Sequence, residues 1–311
     1  MTVADGRNVV AETIRNPIEW GVDQLRHAAA GFGAAGRKVR HVEERLHAPP
    51  PAVRRIAVAD LWDTLVRGAE DFGVVRSDVI FLCAFYPLAG LLLWKVVYGA
   101  GMVHMLFPLV AGFALLGPLA SVGLLEMSRV RERGEMATFA TAFRVVHAPS
   151  FAAIVMLGLL LLAIFLVWLG AAALIYRFTF GSTPPGSLGN FVHAVFATPQ
   201  GWSMIVIGVG VGFLFAALVF VISVVSFALL LDRDTGIDTA ISTSIRVVAE
   251  NPGPMAVWGV LIAAGLVVGA LPLFIGLIVI LPILGHASWH LYRKVVARPL
   301  TQADPARRAS G

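Results

Sequence analysis

Six long apolar runs constrain the fold of this chain more than any other feature of its sequence. They cover about residues 79–98, 104–126, 151–176, 202–231, 255–271 and 272–292. An α-helix rises 1.5 Å per residue, so each run can cross roughly 30 Å of hydrocarbon. Only 14% of the residues are charged, which leaves too few polar side chains to cover a water-soluble globule. The sequence therefore predicts an all-α fold, a polytopic transmembrane helical bundle of about six spans.

Pro272 divides the last two runs, which would otherwise read as one helix too long for a bilayer. A proline lacks the N–H that continues a helix and restricts the residue before it. We therefore expect a tight turn near Pro272 and two antiparallel spans.

The basic residues predict the orientation of the bundle. Of the 24 Lys and Arg residues, 22 lie on one side of a six-span topology, in 1–78, 129–144, 233–246 and 293–308. Only Lys95 and Arg177 fall on the other side. Because Lys and Arg are retained in the cytoplasm, both termini are expected there, with residues 177–201 as the main extracytoplasmic loop.

An internal repeat appears when the chain is shifted on itself by 102 residues. Five residues then coincide: Arg131, Gly134, Arg144, Val145 and Val146 fall on Arg233, Gly236, Arg246, Val247 and Val248. A weaker third copy precedes the first span, with apolar residues at helical spacing between Val58 and Phe72. This pattern predicts three units, each an amphipathic helix followed by a hairpin of two spans. The amphipathic helices would lie along the inner leaflet or serve as ordinary solvated loop helices.

Three segments differ in composition. Residues 1–53 are expected to form a partly ordered cytoplasmic extension, 54–296 the six-span membrane domain, and 297–311 a disordered cytoplasmic tail. In the extension, Asn16 and Pro17 resemble a helix start, and three consecutive prolines, 49–51, form a stiff linker. Its basic residues alternate with acidic ones, so a membrane surface explains them as well as nucleic acid does. We therefore expect the lipid bilayer, a membrane-protein partner or a second copy of the chain as partners, and no nucleic acid.

Two stretches of this sequence resemble a known family. The first runs from Arg54 through Asp71-Phe72 to Tyr86-Pro87-Leu88-Ala89-Gly90, and the second from Leu271 to Arg293, including the run Gly-His-Ala-Ser-Trp-His-Leu-Tyr-Arg. They are similar to the ends of the DUF2189 family of uncharacterised bacterial integral membrane proteins. The resemblance implies a multi-pass protein of the bacterial inner membrane and brings no established reaction with it.

Members of that family are sometimes labelled as oxidase subunits, a label that the histidines argue against. Five of the eight lie in loops or in the extension, and no copper-site motif is present. His286 and His290, four residues apart, share one helical face and are candidates for holding a metal or a haem. The simpler interpretation is a belt of membrane-interface anchors with Trp289, Tyr292, Arg293 and Lys294. We accordingly expect no cofactor and no metal.

The spans offer packing sites rather than chemistry. Gly208 with Gly212, and Gly265 with Gly269, are four apart and would allow close approach of helices, within the chain or in a homodimer. Ionisable residues are expected only near span ends, as at Lys95 and Glu126, which disfavours an ion-coupled carrier.

Catalytic motifs of hydrolases and nucleotide-binding enzymes are absent from the sequence, and no catalytic residues are predicted. Asp232, Asp234 and Asp238 are expected to cap the helix that begins near Thr235 rather than to bind a cation. The sequence thus favours a non-enzymatic scaffold, assembly or sensing protein at the cytoplasmic face. The alternative is a transporter or channel for a small molecule through the interface between repeats.

Overall fold

The computed structural model describes residues 51–83, 90–92, 95, 97–99, 102–181, 187–272 and 274–297. These residues form helices and no extended sheet. The helices are α1 Ala59–Cys83, α2 Leu106–Phe113, α3 Gly117–Ala120, α4 Val122–Glu132, α5 Phe139–Ala142, α6 Phe151–Phe180, α7 Leu188–Ala197, α8 Pro199–Ser223, α9 Ser226–Asp232, α10 Ile237–Glu250, α11 Pro252–Ala270 and α12 Leu277–Val295.

Four helical stretches of the described chain are long and apolar enough to cross a membrane. They are Val103–Glu132, Phe151–Phe180, Pro199–Asp232 and Pro252–Ala270. Each coincides with one of the predicted runs, from the second to the fifth, so the all-α polytopic fold is confirmed. Nine of the 20 residues of the first run, 79–98, lie outside the described residues, so its role as a span stays a prediction. The count of six spans and the three repeats stay predictions.

The region of the sixth predicted run, 272–292, is occupied by a turn and by α12. Helix α11 ends at Ala270, and the turn contains Pro272 and Phe274, whose φ of 64° is left-handed. Gly276 lies against the backbone of Gly269, where an added Cβ would come within 3.0 Å of Gly269 atoms. The tight turn expected near Pro272 is therefore present.

The packing of α2, α6 and α8 forms the apolar centre of the bundle. Leu157 and Leu161 of α6 are fully buried. Trp168 donates a hydrogen bond from Nε1 to the carbonyl of Pro108, at 2.8 Å, which satisfies the one polar atom of its ring. The ring of Trp168 also covers Gly212 of α8, where an added Cβ would lie 3.1 Å from a ring carbon.

Two more of the four glycines predicted to pack lie close to α12, and the packing role of all four stays a prediction. Besides Gly212, an added Cβ at Gly265 would meet Ile280 of α12 at 3.1 Å, and one at Gly269 would meet Leu277 at 2.6 Å. Gly208 is different, because no atom lies within 4 Å of the position its Cβ would take. No helix of the described chain packs against Gly208, so its packing in a homodimer stays a prediction.

Helix α1 runs along α12 over most of its length. An added Cβ on Gly68 would come within 2.7 Å of both the side chain and the backbone of Ala287, so only glycine permits this approach. Helix α1 is continuous from Ala59 to Cys83. The short amphipathic helix expected before residue 79 and the beginning of the first apolar run are thus one helix.

The two ends of the membrane domain meet beside α1 and α12. Val53 forms an isolated antiparallel bridge with Val296, and the Arg54 amide donates to the Val295 carbonyl at 2.7 Å. The buried Asn251 accepts a hydrogen bond from the Ile56 amide and donates to the Arg54 carbonyl.

These contacts bear on the expected domain boundaries. All described residues belong to one compact unit, Pro49–Gly311. Residues 51–53, expected in the extension, thus belong with the membrane domain, and Ala297, expected in the tail, donates to the Ala52 carbonyl. The helix start expected at Asn16 and the remaining tail lie outside the described residues.

Candidate functional site

Charged side chains from four helices meet at one end of the bundle, and we call this group the terminal polar cluster. Its members come from α1, α4, α9 and α12: Asp60, Asp63, Arg67, Asp71, Ser128, Arg131, Glu132, Asp232, His286, Trp289, His290, Tyr292, Arg293 and Lys294. Helices α4 and α12 both end here, and the partial negative charge of a helix C-terminus favours the cations in their last turns. The local sequence of each helix thus agrees with the cluster that they build together.

Asp71 of α1 is the most enclosed carboxylate of the cluster, with 6% of its surface exposed. Its Oδ2 accepts a hydrogen bond from Ser128 Oγ at 2.5 Å and lies 2.9 Å from His290 Nε2. Its Oδ1 pairs with Arg131 Nη1 at 2.8 Å. Burial acts to raise the pKa of Asp71, but hydrogen bonds from His290 and Ser128 outweigh it and lower this pKa below its ordinary value. Asp71 therefore links α1, α4 and α12 as a carboxylate.

Ser128 connects Asp71 to a second histidine. Its Oγ lies 2.8 Å from Nδ1 of His286, which is almost completely buried. The serine stands between the histidine and the aspartate, whereas in a nucleophilic triad the histidine stands between the other two. In this order His286 is not positioned by Asp71 to activate the hydroxyl, and the three residues form a structural chain of hydrogen bonds.

Arg293 holds the opposite side of the cluster together. Its two Nη atoms bind the carboxylate of Asp232 at 2.7 and 2.8 Å, and its Nε donates to Glu132 at 2.8 Å. Burial opposes the charge of Arg293, but the neighbouring Asp232 and Glu132 outweigh it and raise the pKa of the guanidinium. The Arg293 guanidinium also stacks 4.6 Å from the Trp289 ring centre.

The position of Asp232 differs from the sequence-based expectation. It accepts the Tyr292 hydroxyl at 2.6 Å in addition to Arg293. The following helix, α10, begins at Ile237 with Gly236 as its N-cap and has no side-chain cap. Asp232 therefore bridges α9 to α12 and does not cap α10, because its lone pairs are taken by α12.

Burial also corrects the expected interface anchors. Trp289 is 0% exposed and Tyr292 1% exposed, so neither side chain contacts lipid headgroups. Trp289 donates instead from Nε1 to Glu132 at 3.1 Å. In the sequence, Trp289 and Tyr292 resemble an interface belt because each has an apolar ring and one polar atom. In the structure, those polar atoms form hydrogen bonds with other residues of the protein. The anchor role of Arg293 and Lys294 stays a prediction.

Lys294 connects the end of α12 to two carboxylates at the beginning of α1. Its Nζ lies 2.8 Å from Asp63 and 3.3 Å from Asp60. Burial acts to lower the pKa of Lys294, but these two carboxylates outweigh it and raise this pKa. The pKa of Asp60 is lowered by the Ala57 amide and by Lys294, and that of Asp63 by Lys294 and Arg67. The last turn of α12 is thus fixed electrostatically to the first turns of α1.

A cavity of about 430 Å³ opens within the cluster, between α1, α4 and α12. Its lining is formed entirely by polar and charged side chains: Asp63, Arg67, Asp71, Ser128, Arg131, Glu132, His290, Arg293 and Lys294. Such a lining offers hydrogen-bond donors and acceptors to water or to a polar ligand.

The structure shows the surroundings of the histidine pair and of Glu126, which the sequence does not determine. His286 and His290 do share a face of α12, but that face contacts Ser128 and Asp71 inside the protein. Among the described residues no three His, Cys, Asp or Glu side chains are placed to hold a metal ion. Glu126, expected to reach towards the membrane surface, is buried and forms two hydrogen bonds of 2.7 Å with Arg129.

Asp71, Ser128 and Glu132 were not predicted as site residues. The available signal was weak: Asp71 and Ser128 are polar residues among apolar ones, and Glu132 is the last residue of a helix. Arg131 had been singled out by the internal repeat alone. The packing of α4 against both α1 and α12 brings these residues together.

The helices and their hydropathy define an all-α, polytopic integral membrane protein. The family model DUF2189, described as a predicted integral membrane protein, matches residues 106–232 and confirms the family resemblance over that stretch. The matched stretch lies between the two segments, 54–90 and 271–293, whose sequences resemble the family. Searches of curated proteins and of solved structures find no match to this chain.

Proposed function

We propose that this chain is a non-enzymatic protein of the bacterial inner membrane, acting as a scaffold, assembly or sensing protein at the cytoplasmic face. The observation that supports it most strongly is the terminal polar cluster. It concentrates charge and a water-accessible cavity at one end of a bundle whose centre is apolar. The basic residues would place that end in the cytoplasm.

Several features argue for binding rather than catalysis at this end. The enclosed carboxylate, Asp71, is already committed to three protein groups, and Ser128 is buried. A catalytic base or nucleophile must reach its substrate. The exposed groups are ion-pairing side chains, such as Arg67, which serve recognition.

A transporter or channel is the second candidate, and the polar cavity is the observation that favours it. The cavity lies between α1, in the first predicted unit, and α12, in the third. The close apolar packing of Leu157, Leu161 and Trp168 between α6 and its neighbours argues against a transporter or channel. A scaffold or sensor accounts for both observations.

Photo-crosslinking in native membranes tests the proposal. A photoreactive residue at Trp62, which is 72% exposed on α1, should repeatedly capture one discrete protein complex. The same residue at Phe213, 69% exposed on the apolar surface of α8, is the matched control and should capture lipid or nothing defined. A monomer that crosslinks to no protein, and whose deletion changes the accumulation of a solute, would overturn the scaffold in favour of the transporter.

A further inference from the structure

The lining of the cavity in the terminal polar cluster holds more basic than acidic side chains, although Asp60 and Asp232 outside the lining bind Lys294 and Arg293. Four basic side chains line it against three carboxylates, and Ser128 and His290 complete the wall. With His290 neutral, the lining has a balance of one positive charge. A volume of about 430 Å³ lies within the range of small-molecule sites.

The carboxylates of the lining are already neutralised by protein groups. Asp71 is bound to Arg131, Asp63 to Lys294, and Glu132 to Arg293. An anion entering the cavity would therefore meet ion pairs rather than isolated negative charges. The cost of bringing it close to these carboxylates is reduced accordingly.

Two arginines of the lining retain unused donors. Arg67 binds Asp63 through Nε only, and Arg131 binds Asp71 and the Glu70 carbonyl through Nη1 only. Within the part of the chain that the structure describes, their remaining N–H groups have no hydrogen-bond partner. The planar fork of a guanidinium matches the oxygens of a phosphate in two parallel hydrogen bonds.

The structural role of Arg67 among the described residues is a single exposed i,i+4 ion pair with Asp63. The basic residues Arg131, Arg293 and Lys294 lie in the last turns of α4 and α12, where helix dipoles stabilise cations. Arg67 lies inside α1, and its pair with Asp63 is exposed at 58% and 46%, respectively. An exposed pair of this kind contributes little to stability, because water screens both charges.

We propose that this cavity binds a phosphate group through Arg67 and Arg131. The phosphate belongs either to a lipid headgroup or to a soluble anion, because both present the same oxygens. The inference deepens the proposed function by naming the ligand class of the same site, and it rests on that function for the cytoplasmic location. Binding to purified protein is independent of any protein partner, so its failure and that of the crosslinking experiment are distinguishable.

The test uses the full-length protein in two arms. In lipid-free detergent, inorganic phosphate is titrated against the protein by calorimetry, with chloride at equal ionic strength as the blank. In nanodiscs containing phosphatidylglycerol, the phospholipid that remains bound after detergent extraction is counted by native mass spectrometry. The variants are Arg67→Met, Arg131→Lys and, as a matched control, Arg144→Met, since Arg144 forms a similarly exposed pair with Glu135 elsewhere.

We expect saturable binding in at least one arm, weakened about tenfold or more by Arg67→Met and by Arg131→Lys and unchanged by Arg144→Met. Binding of phosphate alone identifies a soluble ligand, and retention of lipid alone identifies a headgroup. Because Arg67 is exposed, its variant should keep the wild-type melting temperature, so that a lost ligand is not confused with a lost fold. Absence of binding in both arms, or equal weakening by all three variants, would refute the proposal.

Discussion

Replacing Asp71 by Asn tests whether the terminal polar cluster holds the first and last helices together. The amide keeps the size of the carboxylate but removes its charge, which leaves Arg131 without a counter-ion. Breaking a buried ion pair costs about 3–5 kcal/mol. Since Arg131 is 30% exposed and can be partly hydrated, we expect a loss of about 2–3 kcal/mol in the free energy of unfolding.

The assay is reversible unfolding of the purified protein in mixed micelles of dodecyl maltoside and dodecyl sulfate, followed by tryptophan fluorescence. A loss of that size raises the unfolding equilibrium constant about 30- to 150-fold. Asp63→Asn is the matched control on the same helix. It breaks the pairs of Asp63 with Arg67 and Lys294. It should lower the free energy of unfolding by about 0.5 kcal/mol and by no more than about 1 kcal/mol.

A double-mutant cycle separates the Asp71–Arg131 pair from the other contacts of Asp71. With Arg131→Met as the second change, we expect a coupling energy of about 1–2 kcal/mol. If Asp71→Asn costs no more than Asp63→Asn, or if the coupling is zero, Asp71 adds nothing to the pairing of α1 with α12.

The same carboxylate predicts a pH dependence. A depressed pKa in the folded state means that Asp71 stabilises the protein above its unfolded pKa, near 3.8, and that this contribution disappears as the pH falls through the folded value. Unfolding measured from pH 7 down to pH 3 should show wild-type stability converging on that of Asp71→Asn. Parallel curves for the two proteins would contradict the lowered pKa.

Three further predictions concern packing and topology. Gly68→Ala should cost about 1–3 kcal/mol in the unfolding assay, since its Cβ would collide with α12, whereas Gly73→Ala on the same helix has open space and should be neutral or slightly stabilising. Asn251→Ala, which leaves a backbone donor and acceptors unpaired, should cost about 1–3 kcal/mol, and an unchanged melting temperature would refute this. Alkaline phosphatase fused after Arg177 should be active and after Arg233 inactive; the reverse result would overturn the orientation.

The spans could be predicted from the sequence because the hydropathy of a segment depends only on the residues within it. A run such as 151–176 carries enough apolar surface to be assigned to lipid without knowledge of its neighbours, and α6 indeed occupies it. The turn at Pro272 was equally accessible, since proline ends a helix whatever packs around it. The close contacts at Gly212 and Gly265 could be proposed from spacing, but spacing did not distinguish them from Gly208, whose Cβ position has no neighbour within 4 Å among the described residues.

The terminal polar cluster could not be predicted from the sequence, because its contacts join separate helices. Spacing places His286 and His290 on one helical face, but it does not say whether that face meets water, lipid or another helix. Trp289 and Tyr292 have the composition of an interface belt, and only the presence of Glu132 and Asp232 within hydrogen-bonding distance shows them to be interior residues. The partners come from helices more than 50 residues away in sequence.

The position of this cluster suggests what it contributes to the fold. Apolar helix faces in lipid gain little from one register over another, because lipid chains and leucine side chains are equally apolar. Gly68 and Ala287 allow α1 and α12 to approach closely. Asp71 then accepts hydrogen bonds in only one register, since a shift of one turn, about 5.4 Å, would separate it from both Ser128 and His290. The polar end would thus select the register in which the apolar helices pack, and the same contacts form the wall of the cavity.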